Sequence, residues 1–284
     1  MSDATSVARS GAETENVLEV RDLSIHAGDT ELVSSVSFDV AAGEIVGIVG
    51  ESGSGKTLTS LAVSRLLPRG LTSTADVLRF RDLDLRGDVR RADLRRLGSE
   101  MGMVFQDPMS SLNPAMRIGT QMGEVLRVHA GLSRREARER AAQALAEVHI
   151  TDPERRLRQY PHELSGGMRQ RVMIAMGMLT DISLLVADEP TTALDVTVQA
   201  QVLRLLREIR DTHGTSILFI THDLGVVAEL CDWVYVMRHG KVVEQGSIQH
   251  IFADPREDYT RMLLAATPSL HAPRRRANAG RADA

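Results

Sequence analysis

The chain has 284 residues, enough for one α/β domain with a sizeable core and a smaller appendage. Its hydrophobic content of 43% and charged content of 25% are ordinary for a globular protein, and a net charge of −4 argues against bulk nucleic-acid binding. The single cysteine, Cys231, excludes an intrachain disulfide framework and suits a reducing compartment, and no stretch approaches the about 20 apolar residues of a membrane span.

Residues 1–16 are polar and mixed in charge, which reads as a disordered lead-in without the apolar centre of a secretory signal. Strands are predicted over 17–25 and 33–40, joined by a turn at Ala27-Gly28-Asp29-Thr30. A buried strand over 44–49 feeds a glycine-rich loop, and the helix after it runs from about Lys56 to Leu67, stopped by Pro68. Further short strands are predicted over 75–80 and 102–105. From about Asn113 to Tyr160 the chain turns helical; 136–148 is rich in Ala, Leu, Arg and Glu, with Glu136 and Arg140 spaced to pair on one face. Then follow helix 166–179, strand 184–188, helix 196–211, strand 216–221, helix 223–230 and strands 233–238 and 241–245. That alternation predicts a largely parallel sheet covered by helices, with the 113–160 stretch inserted as a helical unit. The tail beyond Pro268, with Arg274, Arg275 and Arg276, is predicted to be disordered.

The glycine-rich loop is Gly50-Glu51-Ser52-Gly53-Ser54-Gly55-Lys56-Thr57. Glycines let the backbone curl so that several N–H groups face inward, and the N-terminus of the next helix adds a positive dipole end. In such a phosphate loop Lys56 reaches the β- and γ-phosphates and the Thr57 hydroxyl ligates Mg²⁺. The strand before it and the helix after it distinguish it from a chance glycine turn. Asp188 and Glu189 end an apolar strand, at the sheet edge where open α/β folds bind ligands. There Asp188 is placed to hold Mg²⁺ and Glu189 to polarise an attacking water; without the phosphate loop, the pair would read as a strand-end cap. Ser165-Gly166-Gly167 opens a helix, with Ser165 as N-cap. The methionines at 168, 173, 176 and 178 read as adaptable core packing rather than metal ligands.

Together, the phosphate loop, the run Leu164-Ser165-Gly166-Gly167-Met168-Arg169-Gln170-Arg171 and the Asp188-Glu189 pair resemble the ATP-binding-cassette (ABC) ATPases. The resemblance spans about 17–268 and implies a P-loop NTPase core with an antiparallel β subdomain and a helical subdomain inserted at about 113–165. It also implies ATP and Mg²⁺ as cofactors. Three further residues take roles from it. Gln106 resembles the glutamine that senses Mg²⁺ and the attacking water, and His222 the switch histidine that contacts the γ-phosphate. Asp195 resembles the aspartate that crosses the interface and helps position Glu189, a role compatible with capping helix 196–211. Ser165, Gly166 and Gly167 would bind the γ-phosphate held by a second cassette.

In finer detail the chain is similar to the oligopeptide, dipeptide and nickel importer ATPases. The carriers are 105–114 (FQDPMSSLNP), Tyr160-Pro161-His162-Glu163 ahead of the Ser-Gly-Gly run, 188–199 (DEPTTALDVTVQ) and 220–225 (ITHDLG), with Tyr259-Thr260 near the end. This implies a motor for peptide uptake on the cytoplasmic face of the membrane. Its partners would be two integral-membrane permease subunits, a second ABC ATPase (the same chain or another) and an extracytoplasmic substrate-binding protein, with no nucleic acid. Nickel or a metal chelate is the alternative cargo, because cassette motifs read ATP and not cargo. An exporter motor or a soluble cassette acting on ribosomes or DNA remains a different class of answer. Two features depart from the family. Glu257-Asp258 replaces the usual His-Pro before Tyr-Thr, and no cysteine follows Cys231 to hold the iron–sulfur cluster of some relatives.

A third departure lies where relatives place an aromatic on adenine. Here that position is Ala27, beside His26. An aromatic–base stack is worth about 1–3 kcal/mol. Nucleotide titration should therefore find ATP bound more tightly by Ala27→Tyr than by the parent, and equal affinities would overturn this reading.

Overall fold

The structure, a computed structural model, describes residues 15–107, 111–192 and 194–266. Most of the expected lead-in, the expected tail and three residues of the 105–114 segment therefore lie outside the described residues.

Two sheets lie one over the other. The first is antiparallel: β1 (Asn16–Ala27) pairs with β2 (Thr30–Ala41), β4 (Leu71–Thr74) and β5 (Val77–Phe80), and β5 pairs with β6 (Leu83–Asp84). The second has the order β11-β10-β3-β9-β8-β7, built from β3 (Ile45–Val49), β7 (Met101–Val104), β8 (Leu184–Asp188), β9 (Ser216–Thr221), β10 (Trp233–Arg238) and β11 (Lys241–Ser247). All its neighbours are parallel except the β10–β11 hairpin at one edge.

The period-2 alternation of its strands divides the interior in two. Val46, Ile48, Leu184, Val186, Leu218 and Ile220 face the antiparallel sheet and α1 (Lys56–Val63), meeting Leu18, Phe38 and Phe80. Ile45, Val49, Leu185, Ala187, Ile217 and Phe219 face the helices on the other side. The alternation of strands and helices predicted helices over the sheet; one face is covered largely by the second sheet, the antiparallel β subdomain that the family resemblance implied.

The helical unit contains α3 (Ile118–His129), α4 (Arg134–Glu147), the short α5 (Pro153–Arg156) and a 3₁₀ turn at Pro161–Glu163. Ala137, Ala141, Ala144 and Leu145 form the buried stripe of α4 at helical spacing. The predicted Glu136–Arg140 pair is not formed. Glu136 instead closes a capping box with Ser133, receiving the Ser133 N–H at 2.9 Å. Arg140 turns to Glu147 at 3.2 Å and to the Met178 carbonyl at 3.2 Å. A first-turn carboxylate satisfies otherwise orphaned N–H groups, which outweighs a surface ion pair.

The remaining helices are α2 (Arg91–Glu100), α6 (Gly166–Gly177), α7 (Val196–His213), α8 (Leu224–Leu230), α9 (Ile248–Ala253) and α10 (Asp258–Ala265). Helix α1 stops at Val63, four residues short of the predicted end, where Arg65 takes a left-handed φ of 57°. Met173 and Met178 are buried, and Met168 and Met176 pack against the same core. Among the described residues no helix is long and apolar enough to cross a membrane.

Strand β7 leads directly into Gln106 and lies against α6. A Cβ added at Gly102 would stand 2.0 Å from the Gly177 carbonyl oxygen, a contact that neither backbone can relieve by a side-chain movement. Overpacking of this kind costs about 1–3 kcal/mol or more, each about 2–4 °C in a protein of this size. Gly102→Ala should lower the thermal midpoint accordingly, and a parental melting curve would contradict the packing described.

Candidate functional site

Because β7, β8, β9 and β3 are parallel neighbours, the segments that follow them emerge at one sheet edge. Gln106 follows β7, Asp188 ends β8 with Glu189 next, His222 follows β9, and the loop 50–57 follows β3.

The loop is held tightly from behind. A Cβ on Gly50 would lie 2.1 Å from the Met237 carbonyl oxygen, so this position admits only glycine. The Gly240 N–H, in the β10–β11 turn, donates to the Ser54 carbonyl at 3.0 Å. Inside the loop Lys56 Nζ donates to the carbonyls of Gly50 and Glu51, both at 2.8 Å, and approaches Ser54 Oγ at 3.3 Å. Burial holds the Lys56 ammonium below the ordinary lysine value, opposed by the charges of Glu189, Asp188 and Glu51. Helix α1 begins at Lys56 with no acidic residue of its own in its first turn, so the positive end of its dipole faces the loop. Ser52 and Gly53 stand exposed at the loop tip.

Asp188 is 3% exposed, and its carboxylate receives long hydrogen bonds from Thr57 Oγ1 at 3.3 Å and Ser60 Oγ at 3.5 Å. Burial raises its pKa above the ordinary carboxylate value; the Thr57 bond opposes this and the Glu189 charge adds to it. A nearly buried carboxylate beside a threonine hydroxyl is a hard-oxygen donor set of the kind divalent cations favour, so the residues present fit Mg²⁺. Thr57 and Asp188 would hold it, with the Gln106 side chain at the same sheet edge.

Glu189 sits at φ 47°, a left-handed conformation that costs a non-glycine residue about 1–3 kcal/mol. Its N–H is bonded to the Ile220 carbonyl at 2.8 Å. Three side chains fix its carboxylate. Gln106 Nε2 donates to Oε2 at 2.9 Å, Thr192 Oγ1 donates to the same oxygen at 2.8 Å, and His222 Nδ1 lies 3.2 Å from Oε1. Thr192 and Ser60 were not singled out from sequence. The only signal for them was spacing, Thr192 one turn past Glu189 and Ser60 one helical turn past Lys56.

The structure therefore brings together Lys56, Thr57, Gln106, Asp188, Glu189 and His222. It leaves apart Ser165, Gly166, Gly167 and Asp195. Ser165 caps α6, its Oγ accepting the Met168 N–H at 3.3 Å, and Asp195 caps α7, accepting the Thr197 and Val198 N–H groups at 3.0 Å. These four residues, with Arg171, line a separate cleft of about 450 Å³ to which no residue of 50–57 contributes.

The model of the ABC transporter family matches residues 33–192. The chain belongs to that family. It is 48% identical over 267 residues to a probable peptide ABC transporter ATP-binding protein of Sinorhizobium fredii, covering 92% of this chain and 79% of the relative. It is also 48% identical to the oligopeptide transport ATP-binding protein OppD of Bacillus subtilis, covering 89% of this chain and 72% of the relative. Among solved structures it resembles the CbiO1 subunit of Clostridium perfringens, part of an ABC transporter complex, with a TM-score of 0.72 and 28% identity over 90% of this chain and 97% of that one. A dimeric cassette in a post-hydrolysis state with ADP and Pi matches with a TM-score of 0.67 and 25% identity, over 81% of this chain and 98% of that one. The fold is thus that of an ABC ATPase, and the chain is an ATP hydrolase of that family.

Asp188 offers a test of the site's electrostatics. A carboxyl group whose folded pKa lies above its unfolded value destabilises the fold when ionised, a cost present at neutral pH and relieved as pH falls through the folded value. Asp188→Asn should therefore raise the thermal midpoint of the nucleotide-free protein at pH 7, by about 2–4 °C for each ~1 kcal/mol regained. It should at the same time remove any Mg²⁺-dependent stabilisation by ATP. A lowered midpoint would show that the carboxylate is compensated in a way the geometry does not account for.

Proposed function

We propose that this chain is the ATP-hydrolysing motor of an importer for peptides, with residues 50–57 cradling the triphosphate and Lys56 reaching its β- and γ-phosphates. Thr57 and Asp188, with Gln106, hold Mg²⁺, which when bound neutralises charge on the phosphates. Glu189 orients and deprotonates the attacking water, and His222 contacts the γ-phosphate. The observation that carries this reading is the Glu189 carboxylate, held by Gln106, Thr192 and His222 beside the Thr57–Asp188 pair. A strained backbone, two side-chain hydrogen bonds and the adjacent His222 ring restrain its orientation, as a general base acting on a positioned water requires.

The helix start at Ser165, Gly166 and Gly167, with Asp195 beside it, serves the nucleotide of a second cassette, which is the same chain or a related one. The N-terminus of α6 has no acidic residue in its first turn, which suits it to an anion from outside the chain. Peptide cargo is supported by the names of the relatives, which include oligopeptide and dipeptide transport ATP-binding proteins. Such a motor works at the cytoplasmic face of the membrane, with two permease subunits as the channel and an extracytoplasmic binding protein delivering substrate.

Glu189→Gln should retain ATP binding while hydrolysis falls by about 10²-fold or more, the scale of general-base catalysis. Hydrolysis at the parental rate would overturn the assigned base. The transport reading is tested by extracting membranes in mild detergent and identifying what copurifies with the tagged chain. Two multi-span proteins and a second cassette are expected; ribosomal or DNA-repair proteins in their place would overturn the transport role, and a nickel-binding partner would overturn the peptide cargo.

A further inference from the structure

Tyr259 reaches the phosphate loop from the far end of the chain. It is the second residue of α10, 5% exposed, and its hydroxyl oxygen accepts the Glu51 N–H at 3.0 Å. The ring lies beneath the Arg238 guanidinium, 4.7 Å from the ring centroid, at the end of β10. Helix α10 is itself well anchored. The buried Glu244 carboxylate accepts the N–H groups of Arg256 and Glu257 just ahead of it, at 2.8 and 3.2 Å, and Leu263 and Leu264 pack against the helix-side core.

The Glu51 N–H belongs to the same peptide unit as the Gly50 carbonyl. Peptide units are planar and trans, so the N–H and C=O of one unit point in opposite directions and turn together. One side of this plane is held by Tyr259; the other accepts Lys56 Nζ at 2.8 Å. The Gly50–Glu51 peptide is therefore a rigid spacer between a tyrosine hydroxyl and the lysine ammonium. Gly50 has no Cβ to restrain the ψ rotation that turns that plane. Without the hydroxyl, a part-buried donor loses its protein partner, and of these two bonds only the lysine side still holds the plane.

We propose that the Tyr259 hydroxyl is a positioning group for Lys56, acting through the Gly50–Glu51 peptide, and so sets the affinity of the loop for nucleotide phosphates. This rests on the assignment of residues 50–57 as the phosphate loop and adds to it a residue from the C-terminal helix. The role belongs to the hydroxyl and not to the ring, which separates it from simple packing of α10.

The test is Tyr259→Phe in the full chain, which keeps the ring under Arg238 and removes only the acceptor. Affinities for ATP, ADP and AMP are measured by calorimetric titration, with Lys56→Ala as control. The expected result is a loss of about 3- to 10-fold for ATP and ADP, with AMP affected by less than 2-fold, because Lys56 serves the β- and γ-phosphates. Unchanged ATP affinity in a folded Tyr259→Phe protein, or an equal loss for all three nucleotides, would overturn the positioning role. Undiminished ATP binding by Lys56→Ala would instead overturn the loop assignment, and this proposal with it. A measurement on the unaltered chain guards against a variant that fails to fold: the Glu51 amide should exchange slowly with solvent deuterium in the absence of nucleotide, and rapid exchange would refute the bond.

Discussion

Parallel pairing of β7, β8, β9 and β3 is the constraint on which the rest of the molecule depends. Parallel neighbours keep their carboxyl ends on one edge, so four segments far apart in sequence must leave the sheet side by side. The register is tight: Val104 stands beside Ala187, Asp188 beside Ile220, and Thr221 beside Val49. Each strand therefore ends within a residue or so of its neighbour, and the groups just beyond the ends fall within hydrogen-bonding reach. A slip of one residue in any pair would turn its core side chains to the wrong face. The same two apolar cores that hold the sheet thus also fix the spacing of its polar edge.

That edge is where the chain departs most from local preference. Lys56 and Asp188 are charged groups in a buried setting, and Glu189 adopts a backbone conformation that glycine would fill more easily. Each is unfavourable alone. They persist because the surroundings over-determine them: Lys56 by two carbonyls, Asp188 by two hydroxyls, Glu189 by the Ile220 carbonyl and three side chains. Buried charges and a strained backbone brought together at one sheet edge, each over-determined by its surroundings, are the pattern expected where function, and not folding, has set the residues.

How much of this was legible in the sequence varies with the range of the signal. The loop 50–57 and the strand ending at Asp188 are contiguous patterns with a mechanism attached, and each could be read from a dozen residues. The Glu136–Arg140 spacing was equally visible and misleading, because spacing shows only that two side chains can meet, while the capping demand of α4 took Glu136 elsewhere. Burial of one sheet face under a second sheet was not legible in the strand pattern, since an apolar strand looks the same beneath a helix or a strand; only the family resemblance implied the antiparallel subdomain. The Tyr259–Glu51 bond joins residues 208 apart, beyond any local pattern. Tyr259-Thr260 stood out only through the family resemblance, which carried no physical role.

The separate position of Ser165, Gly166, Gly167 and Asp195 has a consequence for what one copy of this chain can do. Their cleft holds the start of α6 and no residue of the phosphate loop, so the N-termini of α1 and α6 do not open into one cleft within the chain. If both ends serve nucleotides, a second cassette must supply what each lacks, and the simplest closed arrangement is a head-to-tail pair related by a two-fold axis. Val196 is 82% exposed, an apolar side chain left in solvent next in sequence to Asp195, which lines that cleft. Covering it would stabilise the pair in addition to any bond to phosphate. Closure would then combine two terms of different character. The apolar contact would be insensitive to the nucleotide, whereas the helix-end contact would require the anion. Only the second can change when the γ-phosphate is cut, so the site of hydrolysis would also be the site at which the pair is released.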